Sequence, residues 1–194
     1  MSNKSPAPNR RGPWMQTFLG RQYYPWKPSP EDVTIEDIAH ALSLQCRFNG
    51  HSQEFYSVAQ HSVLVSRTVP FQHALWGLLH DAAEAYLGDL ISPIKTSIHE
   101  YKRIESLNQT AIARHFDLSK PIPIDIKEAD LIVLATEARD VMGGQLYDWE
   151  IGHLPLNERI VPVGPVEAEV SFLERYIEIN SCPSVCAAED VVLR

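Results

Sequence analysis

The chain has 194 residues, 44% hydrophobic and 22% charged, with a formal net charge of −8 at pH 7. That is enough for one domain with a substantial core, and the acidic balance argues against a general binder of nucleic-acid polymers, which would carry a basic face. No apolar run approaches the ~18 residues that span a bilayer, and the N-terminal MSNKSPAPNRRGPW lacks the apolar core of a secretory signal. Three cysteines, Cys46, Cys182 and Cys186, form no dense framework and fit a reducing cytoplasm, with unpaired thiols in the tail.

Residues 1–16 read as a flexible arm, 17–180 as the folded domain and 181–194 as a loose tail. From Thr17 to Pro30 the segment is aromatic and Pro-punctuated, with Phe18, Tyr23, Tyr24 and Trp26, and reads as irregular or briefly extended. Thr34 then opens a helix with Asp37 three residues on, and Ile35, Ile38, Ala39 and Leu42 form its apolar face. Gln45 to Tyr56 is a polar loop with Asn49-Gly50 as its turn signal. Ser57 and Gln60 form a capping box for the next helix, which ends at Pro70 and carries His61 in its first turns.

Ala74 to Lys95 organises the rest. Leu75, Leu78, Leu79, Ala82, Ala83 and Tyr86 lie at helical spacing, with His80, Asp81 and Glu84 set among them. Gly88 and Pro93 stop that helix, and Asp89 falls just beyond it. An antiparallel pairing with the preceding helix would bring His61 opposite His80 and Asp81. A long amphipathic helix follows from about Thr96 to Phe116, then a proline connector, then a helix capped by Asp125 that carries Asp130 in an apolar setting and ends at Gly143-Gly144. A longer irregular stretch, 145–164, leads to a last helix from Pro165. With no alternating run that demands a sheet, the expected fold is all-α, a single bundle of about six or more helices.

His61, His80, Asp81 and Asp130 are polar groups in apolar helical contexts. Buried unpaired, they are costly, and a divalent metal satisfies them. Two imidazoles and two carboxylates suit one Mn²⁺, Fe²⁺, Co²⁺, Ni²⁺ or Zn²⁺ and leave positions open for water and substrate oxygen. Glu84 is one turn from His80 and points toward the same cavity.

The order of these motifs, SVAQHS, HDAAEA, GDLISPIK and KEAD, resembles the HD-domain phosphohydrolases. Within them it is most similar to the bacterial and phage branch of YfbR-type 5′-deoxynucleotidases, YfdR-type prophage proteins and DatZ-type dATP triphosphohydrolases. The likeness runs from about Phe18 to Met142. It implies that His61, His80, Asp81 and Asp130 hold one metal, that Glu84 handles protons, and that Asp89 lies near the sugar and scissile phosphate. It implies further that Lys95 and Lys127 face phosphate oxygens and that Arg47 belongs to an early substrate loop. Phe48 stands beside it where relatives often have tryptophan, which leaves base and sugar selectivity open. The implied activity is hydrolysis of a small 5′-deoxynucleotide, leaning to dATP with release of triphosphate and with Mg²⁺ accompanying the triphosphate. Removal of phosphate from a deoxynucleoside monophosphate is the alternative. A di-iron oxygenase or a non-catalytic nucleotide sensor are remoter readings. Homo-oligomerisation is implied as well, with Phe18 to Trp26 and the Trp149 loop as contact surfaces.

Overall fold

Thr34 accepts a hydrogen bond from Asp37 N and so starts α1, Ile35–Leu44, as the capping signal predicts. Ser57 does the same for α2, Val58–Thr68, through Gln60 N. The computed structural model describes residues 12–143 and 149–181 and is an all-α bundle. Further helices are α3 (Ala74–Leu79), α4 (Glu84–Leu87), α5 (Ser92–Lys95), α6 (His99–His115), α7 (Ile124–Asp140) and α8 (Pro165–Ser181). Cys182 and Cys186 lie outside the described residues, as do most of the N-terminal arm and part of the 145–164 stretch.

The bundle is built around α2, which packs against α1, α3, α7 and α8. Its buried Val58, Ala59 and Val63 meet Ile38, Leu42, Leu78, Leu79, Ile112 and Phe172 in one core. Burying such side chains contributes about 1.5–3 kcal/mol each, which is what holds otherwise marginal short helices in place. Arg175 of α8 is also buried and donates to Ser66 Oγ and to the Ser66 carbonyl, both at 2.9 Å, tying α8 onto α2.

Four expectations are corrected. The 74–87 helix is interrupted: α3 stops at Leu79, and His80–Ala83 form a turn before α4. Ala82 N, Glu84 N, Ala85 N and Tyr86 N each bond to the carbonyl three residues back, so the backbone tightens there. Part of the expected arm is ordered, because β1 (Met15–Gln16) pairs antiparallel with β2 (Gln22–Tyr23) and Tyr23 is fully buried. Pro123, not Asp125, occupies the N-cap of α7, and the Asp125 carboxylate instead meets His73 Nδ1 at 2.6 Å. Asp130 sits at the edge of the core, its side chain 39% exposed.

Candidate metal centre

His61 is fully buried on α2 and Asp130 projects from α7. His80 and Asp81 occupy the turn after α3. The approach of α2 and α3 brings the two imidazoles together edge to edge, tilted by 52°, with His61 Nε2 and His80 Nε2 3.2 Å apart. Asp130 Oδ1 lies 3.2 Å from His61 Nε2, and Asp81 Oδ2 lies 3.2 Å from His80 Nε2 and 3.7 Å from His61 Nε2. One atom each from His61, His80 and Asp130 falls within a 4.8 Å set able to hold a metal ion.

The far nitrogens settle which ring atoms are available. His80 Nδ1 donates to the Gly77 carbonyl at 2.7 Å, and a carbonyl only accepts. His61 Nδ1 donates to Glu137 Oε1 at 2.7 Å. Nε2 is thereby the atom of each ring that a cation would take, displacing the second proton from His61. With metal–nitrogen bonds of about 2.0–2.1 Å, ligands at roughly 90–110° are about 2.9–3.4 Å apart, and the 3.2 Å spacings match that. The residues present therefore fit a divalent cation.

Glu137 and Arg47 are the parts that sequence reasoning missed or placed differently. Glu137 is fully buried on α7, two turns beyond Asp130 on the same face. Arg47 is not an open arginine of a substrate loop: its side chain is 12% exposed, 3.1 Å from Glu137 Oε2 and 3.6 Å from Asp81 Oδ2. Burial pushes the Glu137 carboxyl up, but Arg47 and His61 outweigh it and hold it below the ordinary range. Burial likewise opposes ionisation of Asp81, yet His80, His61 and Arg47 hold it far below. Burial and Arg47 push the His61 imidazolium down, while Glu137 and Asp130 raise it to about 9 in the metal-free protein.

Beside the histidines opens a cleft of about 490 Å³, lined by Trp76, His80, Asp81, Glu84, Lys95 and Gln109, with Lys102 and Lys120 along its wall. Glu84 is buried, and its Oε2 has no hydrogen-bond partner. Burial first, then Asp81 and Asp89, raise its pKa to about 9 against the opposing pull of Lys95, 3.5 Å away. Lys95 is also paired with Glu105. Asp89 is half-buried, with burial raising its pKa. Lys127 is exposed on α7 and is not among the lining residues of the cleft, so the structure does not gather it with the others. Phe48 is half-buried against the Tyr56, Val141 and Ile160 cluster and lies edge-on to Trp149 with ring centres 5.8 Å apart, in a left-handed conformation with φ 56°. Such a backbone costs on the order of 1–3 kcal/mol and persists only where neighbours enforce it.

The protein YfdR of Escherichia coli, itself uncharacterized, is 39% identical over 170 residues, covering 86% of this chain and 96% of that protein. The chain belongs to the YfdR family. An uncharacterized protein of Rhodobacter capsulatus is 36% identical over 144 residues, covering 67% of this chain and 74% of its own length. No protein-family model matches. Among the described residues of this YfdR relative, no helix is long and apolar enough to cross a membrane.

Proposed function

We propose that this protein is a metal-dependent HD-domain phosphohydrolase of 5′-deoxynucleotides, acting in the cytoplasm. The observation that carries the reading is the meeting of His61, His80 and Asp130 within 4.8 Å of one another, with Asp81 Oδ2 3.2 Å from His80 Nε2, beside a cleft of about 490 Å³. His61, His80, Asp81 and Asp130 would hold one Mn²⁺, Fe²⁺, Co²⁺, Ni²⁺ or Zn²⁺. When bound, such an ion supplies a water ionised near neutral pH and a Lewis acid for the phosphoryl oxygen.

The remaining roles belong to the chain. Glu84 is buried at the cleft with its pKa raised to about 9, so it holds a proton that can go to the leaving oxygen. Lys95, adjoining Glu84, balances charge on the phosphate. Asp89 stands at the sugar side. The choice between mono- and triphosphate leans to the triphosphate, dATP, with Mg²⁺ accompanying it. Lys102 and Lys120 line the same cleft as Lys95. A triphosphate has the charge to engage all three; a monophosphate does not. The exposed Trp14, Phe18, Leu19 and Trp26 offer a surface for the homo-oligomer that the resemblance implies, which sedimentation tests directly.

A turnover screen over nucleoside mono-, di- and triphosphates with Mn²⁺, Co²⁺ and Mg²⁺ tests the reading. Expected is conversion of dATP to deoxyadenosine and triphosphate, abolished in Asp81→Ala. Release of phosphate from dAMP alone would move the assignment to 5′-deoxynucleotidase. Nucleotide binding with no turnover of any substrate would sink the enzymatic reading.

A further inference from the structure

Glu137 contributes no atom to the cleft, yet it touches the candidate centre from two sides. Its Oε1 accepts from His61 Nδ1 at 2.7 Å, and its Oε2 lies 3.1 Å from Arg47 Nη2. The other guanidinium nitrogen, Nη1, reaches Asp81 Oδ2 at 3.6 Å. A fully buried carboxylate is costly in an apolar bundle, and core packing alone would favour an apolar residue there. Both of its oxygens are instead spent on groups that adjoin the metal-facing atoms.

We propose that Glu137 is the positioning residue of the metal centre, holding His61 directly and Asp81 through Arg47. This rests on the metal reading above. One acid on α7 thus sets two ligands that come from α2 and from the turn after α3. It holds a proton on His61 Nδ1, so that Nε2 is the atom offered to a cation, and it keeps Arg47 where one guanidinium edge restrains the Asp81 carboxylate. Arg47 is accordingly a linker inside the centre rather than a phosphate ligand.

The test is Co²⁺ titration of the metal-free full-length protein, followed by its visible absorption. Glu137→Ala removes both arms. Glu137→Gln keeps an acceptor for His61 Nδ1 but turns a donor or loses charge toward Arg47. Loss of an outer partner typically weakens metal affinity 10–100-fold. Expected is therefore a loss of about 100-fold for Ala and about 10-fold for Gln, in that order. Asp140→Asn is the control, since it removes another buried acid of α7 whose partners, Arg139 and Arg159, lie outside the centre. It should leave Co²⁺ affinity within about twofold, being remote from the ligands. Wild-type-like affinity in both Glu137 variants would overturn the inference while leaving the metal reading intact. A wild type that binds no Co²⁺ would overturn both. Should the variants fail to fold, the Zn²⁺-loaded wild type still decides: its NMR spectrum must show an exchange-protected His61 Nδ1–H, and a proton on Nε2 instead would refute the assignment.

Discussion

Gly77→Ala tests whether the packing of α2 on α3 sets the spacing of the two histidines. A Cβ at Gly77 would lie 2.8 Å from Ser66 Cα and 3.1 Å from Ser66 N, both backbone atoms of α2. Ordinary carbon contacts need at least ~3.5 Å, so the helices must separate by about 0.7 Å. On propensity alone the substitution should stabilise α3 by about 1 kcal/mol. Overpacking against backbone opposes this with about 1–3 kcal/mol, because no flexible side chain can give way. The net expectation is a loss of up to about 2 kcal/mol, or up to roughly 8 °C in Tm for a chain of this size. The same displacement carries the His80 turn away from α2 and widens the 3.2 Å gap between the Nε2 atoms. Divalent-ion affinity should therefore fall together with stability. Urea denaturation and Co²⁺ titration of the one variant give both numbers. If Gly77→Ala is as stable as wild type and binds metal equally well, the close approach is not what sets the centre.

Removing divalent ions with EDTA should lower Tm, and adding Mn²⁺ at 100 times its Kd should raise stability by about 2.7 kcal/mol, read by thermal scanning; no shift with any ion would contradict the metal reading. Lys102→Ala and Lys120→Ala should raise KM for dATP at least severalfold more than for dAMP, since they line the cleft together with Lys95; equal effects would remove them from the polyphosphate path. Asp140 is held well below the ordinary carboxylate range by Arg139, Ile160 N and Arg159, although burial opposes this. A depressed folded-state value contributes stability above the unfolded value near ~3.9 and loses it as pH falls below. Asp140→Asn should thus lower Tm at pH 7 and flatten its decline below pH 4; an unchanged acid limb would show the pairing to be inconsequential.

The helices with local signals were legible in the chain. Ser57 with Gln60 and Thr34 with Asp37 cap where they should, because capping uses atoms three residues apart. The break after Leu79 was not legible. It goes with a ring nitrogen of His80 taking the Gly77 carbonyl, and the apolar period runs through it unchanged. The four proposed metal ligands could be picked out because each is a polar group on an expected helix with an apolar face. Glu137 could have been found by its register, lying seven residues and so two helical turns beyond Asp130 on the same face. Its partner Arg47, 90 residues away, could not, since the pairing depends on a loop bent through left-handed Phe48 and Asn49. Lys127 is a motif position carried over by resemblance, and the structure places it exposed on α7, outside the cleft lining.

Glu84 is the residue whose cost to the fold argues most directly for a function. Its pKa is raised to about 9 by burial and by Asp81 and Asp89, so the folded protein keeps a proton that the unfolded chain releases above about 4.5. A raised carboxyl works against stability as pH rises: the loss begins near the unfolded value and grows until the folded-state value is passed. Between about 4.5 and 7 the loss accumulates at about 1.36 kcal/mol per pH unit, an upper bound of roughly 3 kcal/mol at pH 7. Glu84→Gln never ionises and should escape it. The metal-free variant is expected to melt several degrees above wild type at pH 7–8, with the gap closing toward pH 5. In the turnover screen the same variant should be inactive. Stability gained and turnover lost in one substitution is the mark of an acid kept for chemistry. A variant less stable than wild type at every pH from 5 to 9 would show that Glu84 earns its buried place structurally, and the general-acid role would lose its physical basis.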